Sequence, residues 1–117
     1  MNCYICGREH AEKHHIVFKS QGGLDIEVNY IWLCYEHHRG NNGPHMSHKI
    51  DLSYKKEVQR QLYELFKEGE TYQIKEIAAK IHYNKKRLEN KFKDVFNHCG
   101  EYKTEDIIRK LMGGKLY

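Results

Sequence analysis

The sequence predicts an α+β chain: a small metal-stapled unit containing two strands in residues 1–50, then a helical region in residues 51–117. Three observations carry this. Cys3-Tyr4-Ile5-Cys6 and Cys34-Tyr35-Glu36-His37 form two clips of metal-ligand spacing. Between them lie two short runs rich in β-branched and aromatic residues. Beyond them, apolar residues recur at helical spacing.

The 117 residues suffice for one domain with a modest core. Charged residues make up 31%, and the mean hydropathy is −0.87. No apolar run approaches the ~20 residues that cross a bilayer, so no membrane partner is expected. Met1-Asn2-Cys3-Tyr4 lacks the basic and apolar regions of a secretory signal. A reducing cytoplasm is the expected compartment, and there a Cys-x2-Cys pair reads as a metal clip before a disulfide. The net charge is +4. Residues 1–50 hold five Lys/Arg and five Asp/Glu, whereas residues 51–117 hold fifteen and eleven. That bias is compatible with a polyanionic partner but does not demand one.

Cys3 and Cys6, with Gly7 relieving the turn, can present two sulfurs to one ion. Cys34 and His37 complete a Cys3His set suited to structural zinc, with His10 as the competitor for the fourth place. Zinc would supply much of the stability of so small a unit. Glu12–Phe18 reads as a first strand and Val28–Leu33 as a second, broken by Ser20-Gln21-Gly22-Gly23 and able to pair antiparallel. Asn29, at the entrance to the second strand, reads by position as a turn-former. His14-His15 resists a structural explanation, because neighbouring strand residues point to opposite faces and cannot share one apolar core. One imidazole can ligate a second cation while the other accepts a proton, and His38 can complete the cation site.

In order, Cys-x2-Cys, His-His-Ile, Gly-Gly and Asn-x3-Leu-Cys-x2-His-His resemble the HNH nucleases of the His-Me finger (ββα-metal) superfamily, in particular the small zinc-containing HNH proteins of phages and prophages. The resemblance spans roughly residues 3–50. It implies that His14 and His38 hold a catalytic divalent cation, Mg²⁺ or Mn²⁺, and that His15 is the general base. It implies that Asn29 braces the loop bearing the base, and that Cys3, Cys6, Cys34 and His37 bind structural Zn²⁺. Many relatives have Cys where this chain has His37. Relatives also continue the helix after the last His, whereas Arg39-Gly40-Asn41-Asn42-Gly43-Pro44 is poor helix material. The next imidazole, His45, matches the Gly-x-His element of the phage-type subgroup and is a candidate third ligand. The implied activity is hydrolysis of DNA to 5′-phosphate ends, in the cytoplasm of a bacterial host. Lys19 and Arg39 are candidate phosphate contacts.

Leu52, Val58, Leu62, Leu65 and Phe66 predict a packing helix over residues 51–68, ended by Gly69. Ile74, Ile77, Ala78 and Ile81 predict a second helix. Asn84 is placed to cap a third, reaching residue 97 through Leu88, Phe92, Val95 and Phe96. The pair over residues 74–97 has the look of a helix-turn-helix whose Lys85, Lys86, Arg87 and Lys91 would meet DNA, although an ordinary helical hairpin has the same pattern. A short last helix is expected over residues 104–112. Two other readings stay open: a zinc-stabilised DNA-binding protein that does not cut, and an accessory protein that binds another protein.

Overall fold

The computed structural model covers residues 1–117 and shows a mixed α+β chain. Strands β1 (Glu12–His15) and β2 (Tyr30–Leu33) pair antiparallel, with Lys13 opposite Trp32 and His15 opposite Tyr30. Helix α1 (Tyr35–Arg39) follows directly, and the long helix α2 spans His48–Leu65. A second two-stranded pair, β3 (Thr71–Tyr72) with β4 (Tyr102–Lys103), brackets α3 (Ile74–Ile81) and α4 (Lys85–Lys91); α5 (Thr104–Leu111) closes the order. No helix is long and apolar enough to cross a membrane.

Both strands are shorter than the sequence suggests, and one side chain explains it. The Ile16 N–H still bonds the Asn29 carbonyl, but the Asn29 side chain then takes over both polar groups of Val17. Its Oδ1 accepts the Val17 N–H at 2.7 Å, and its Nδ2 donates to the Val17 carbonyl at 3.0 Å. The chain therefore leaves the ladder after His15 rather than after Phe18. Val28 falls in a 3₁₀ turn, Glu27–Asn29, instead of the second strand.

Helix α2 begins at His48, not residue 51, because Ser47 caps it by accepting the Ile50 N–H. It ends at Leu65, short of residue 68. Asn84 caps α4 through the Arg87 N–H, but α4 stops at Lys91 and does not reach residue 97. Phe92 is buried against Tyr102 with ring centroids 5.4 Å apart, and Lys110 on α5 holds Asp94 at 2.9 Å. These contacts turn the chain back towards β4, overriding the local apolar pattern. The last helix ends at Leu111, one residue before the expected boundary.

The main core draws on both halves of the sequence. Ile16, Val17, Leu24 and Ile26 from the β1–β2 connection join Val58, Leu62 and Phe66 of the α2 region, and Ile107, Ile108 and Leu111 of α5. A small satellite cluster of Cys3, Leu33 and Cys34 lies under the N-terminal clip. Leu62 is fully buried at the contact between α2 and the rest. Leu62→Ala is expected to destabilise the chain by about 2–5 kcal/mol, read by denaturant unfolding of the zinc-loaded protein.

Candidate metal centres and histidine cleft

The turn after Cys3 and the junction of β2 with α1 bring Cys3, Cys6, Cys34 and His37 together. Their donor atoms all lie within 4.8 Å of one another. The Cys6 and Cys34 sulfurs are 3.8 Å apart, and His37 Nδ1 lies 3.6 Å from the Cys3 sulfur and 3.2 Å from that of Cys34. A tetrahedral ion with Zn–S bonds of ~2.3 Å sets sulfurs ~3.8 Å apart, so this donor set fits zinc. His10 lies outside the group, and its backbone adopts a left-handed conformation (φ 61°).

The two N-terminal thiols are tuned in opposite directions. Burial alone would raise Cys3, but the backbone N–H groups of Cys34, Cys6 and Ile5, with the Cys6 side chain, stabilise its thiolate and bring it down to about 6. Cys6 shifts the other way: although the Arg8 backbone favours its thiolate, burial and the neighbouring Cys3 and Cys34 sulfurs push it up. Anionic sulfurs this close repel one another unless a cation lies among them. Cys99 stands apart, exposed and free, in a left-handed turn at φ 52°.

A second convergence lies between β1 and α1. His14, His38 and His45 place ring nitrogens within 4.8 Å of one another. His14 is 2% exposed, and its Nε2 is buried without any hydrogen-bond partner. A buried polar atom left unpaired is costly, and a cation bound by this nitrogen would remove that cost. Nε2 of His38 and Nε2 of His45 are 2.9 Å apart, close to the ~3.0 Å separation of adjacent ligands at ~2.1 Å from one octahedral ion. His38 Nδ1 lies 2.7 Å from Glu12 Oε1, so a proton shared there leaves the Nε2 lone pair facing the cluster. The three imidazoles thus suit a divalent cation. Burial, then the nearby His38, His45, His15 and Lys55, hold His14 down at about 3, in the neutral form that a metal requires.

His15 lines the same open cleft of about 430 Å³, together with Lys13, Phe18, Lys19 and Ser20. The sequence-derived basic residues have partners of their own. Lys19 lies 3.5 Å from Asp25, and Arg39 is 3.3 Å from Glu12. Lys85, Lys86, Arg87 and Lys91 lie exposed on α4, and none of them lines this cleft. Sequence reasoning overlooked Glu12, Lys13 and Asp25. Register supplies a signal for Lys13, which shares a strand face with His15, whereas nothing in the sequence marks Asp25. A larger apolar cavity of about 490 Å³, lined by Tyr4, Trp32 and Tyr54 among others, lies between β2 and α2 and contains no His or Cys.

Asn29 is 2% exposed and underpins the cleft. Besides gripping Val17, its Nδ2 donates to the Leu24 carbonyl at 3.1 Å. Gly23 is required inside this loop, because a Cβ there would sit 1.8 Å from the Val17 carbonyl oxygen. No protein-family model, no curated protein and no solved structure matches the chain. The functional reading therefore rests on motif and geometry.

Two outcomes are expected. The purified chain should carry roughly one tightly held zinc by elemental analysis, and Cys34→Ser should lose it together with the N-terminal fold. His14 also ties stability to pH. Its folded value of about 3 lies below an unfolded imidazole's ~6.5, so between these values the unfolded state binds the extra proton. Its contribution is complete above about pH 6.5 and is lost as the pH falls towards 3. His14→Gln should flatten that part of a stability–pH curve measured by denaturant unfolding.

Proposed function

We propose that the chain is a metal-dependent HNH endonuclease that hydrolyses DNA phosphodiester bonds. In this reading residues 1–50 form a zinc-stapled ββα-metal unit and residues 51–117 a helical support. The observation that carries it is the buried, unpartnered Nε2 of His14, converging with His38 and His45 beside His15 in one open cleft. The order β1–β2–α1 and the HNH-like motifs support the same reading. So does the cleft's form, since it is shallow and polar enough for a phosphate on an extended polymer.

His14, His38 and His45 would hold the cation, with Glu12 orienting His38. When bound, that cation would supply charge stabilisation for the transition state and for the departing 3′ oxygen. His15 takes the proton from the attacking water. Asn29 keeps the loop between the strands in place, and Lys13 and Lys19 meet phosphates flanking the scissile one. Three imidazoles without a carboxylate ligand are the donor set of ions such as Fe²⁺, Ni²⁺ or Zn²⁺; of the two ions the motif implies, the transition metal Mn²⁺ accepts nitrogen ligands more readily than Mg²⁺. Helices α3 and α4 act as a helix-turn-helix-like grip, with Lys85, Lys86, Arg87 and Lys91 touching the backbone of the duplex.

The second reading, a DNA-binding protein that does not cut, draws on that basic face of α4, all four of whose Lys/Arg named above are exposed. It is the weaker one, because a binder has no use for the buried imidazole cluster. Plasmid nicking is expected with Mn²⁺, weaker with Mg²⁺, and none in chelator. His15→Ala should lower the rate by roughly 10²–10⁴-fold at unchanged zinc content and melting temperature. DNA binding by gel shift without cleavage under any divalent ion would favour the second reading.

A further inference from the structure

The hydrogen-bond partner of the His15 side chain is a carboxylate ten residues along the chain. Asp25 Oδ1 lies 2.6 Å from His15 Nε2. The carboxylate is itself anchored: the Tyr30 hydroxyl donates to the same oxygen at 3.1 Å, and Lys19 Nζ lies 3.5 Å from Oδ2. The hydrogen bond from His15, then the Tyr30 hydroxyl and the Lys19 charge, hold the Asp25 carboxyl below the usual carboxylate range. The ring of Tyr30 stands edge-on to His15 at 5.1 Å and 88°, which fixes the plane of the imidazole.

We propose that Asp25 is a positioning residue for His15, accepting its Nε2–H and so leaving Nδ1 as the nitrogen that takes a proton in the cleft. The chemistry leaves one arrangement. An ionised carboxylate only accepts, so the proton of the shared bond sits on Nε2; a neutral imidazole carries one N–H, so Nδ1 bears the lone pair. This inference rests on reading His15 as the base, and it extends the role of Asn29. By tying Leu24 through its carbonyl, Asn29 places the residue next to Asp25 and with it the carboxylate. The Asp25 side chain is 54% exposed, so its pairing with His15 contributes orientation far more than stability.

The test uses the full zinc-loaded chain with ¹⁵N-labelled histidine and no added divalent ion. Long-range ¹H–¹⁵N correlation at about pH 8.5, where a free imidazole is neutral, reads the tautomer of each ring; a His15→Gln spectrum assigns the His15 signals. The expected result is His15 protonated at Nε2 in the wild type and a mixture of tautomers in Asp25→Ala. In cleavage assays Asp25→Ala should lower kcat by roughly 10–100-fold at an unchanged melting temperature, with KM for DNA no higher because Lys19 is freed from its partner, and Asp25→Glu should recover part of the loss. An Nδ1–H tautomer in the wild type, or a tautomer indifferent to Asp25→Ala, overturns the proposal. So does a loss of activity that merely follows a loss of zinc or of thermal stability. A chain that shows the tautomer and its dependence on Asp25 yet cuts no DNA upholds the pairing and overturns the nuclease reading instead.

Discussion

The placement of α1 and of His38 depends on four donors, from Cys3, Cys6, Cys34 and His37, held within 4.8 Å of one another. Helix α1 has only five residues, far too few to hold its own shape in water. Cys34 stands at its N-cap position and His37 lies within it, so an ion at the staple would fix the helix from both positions. His38 comes next in the chain and inherits that placement. Its ring centroid therefore comes within 4.9 Å of that of His14 on β1. The zinc-type site lies upstream of the histidine cleft in a mechanical sense: lose the first and the second has no geometry.

The other end of the hairpin is held without any metal. Asn29 makes three hydrogen bonds to backbone that would otherwise need a longer ladder, and Gly23 makes room for them. Leu24 and Ile26 then carry this loop into the core shared with Val58 and Leu62. The helical half is thus more than an appendage to the strands. It supplies the apolar wall against which the loop bearing Asp25 is set.

Much of this was legible in the sequence because metal ligands announce themselves by residue type and spacing. The two clips, the His14-His15 pair and the general order of strands and helices follow from composition and periodicity. What escaped was decided by contacts distant in sequence. The pair β3–β4 is two residues long and joins segments about thirty apart, so no local pattern marks it. The early end of α4 follows from Phe92 meeting Tyr102, although Val95 and Phe96 continue a helical stripe. Position alone made Asn29 a turn-former; the family resemblance implied a brace, and the buried amide shows how it braces, through Val17 and Leu24. Asp25, Glu12 and Lys13 are ordinary surface residues until the fold puts them beside an imidazole or an aromatic ring.

The fixed charges around the cleft largely cancel. Lys55, buried near His14, is neutralised by Asp51 at 2.8 Å; Arg39 is met by Glu12 and Lys19 by Asp25. The imidazole of His14 adds nothing, since burial keeps it neutral. Lys13, which lines the cleft over the Tyr30 ring without a carboxylate partner, is left as the one uncompensated charge to draw a phosphate in before a cation arrives. A lone cation, in turn, meets three neutral nitrogens and no ligating carboxylate, a set that binds without cancelling its charge. Each needs the other. In the proposed reaction, then, cation and phosphate bind cooperatively, and the site reaches its working electrostatics only when both are present.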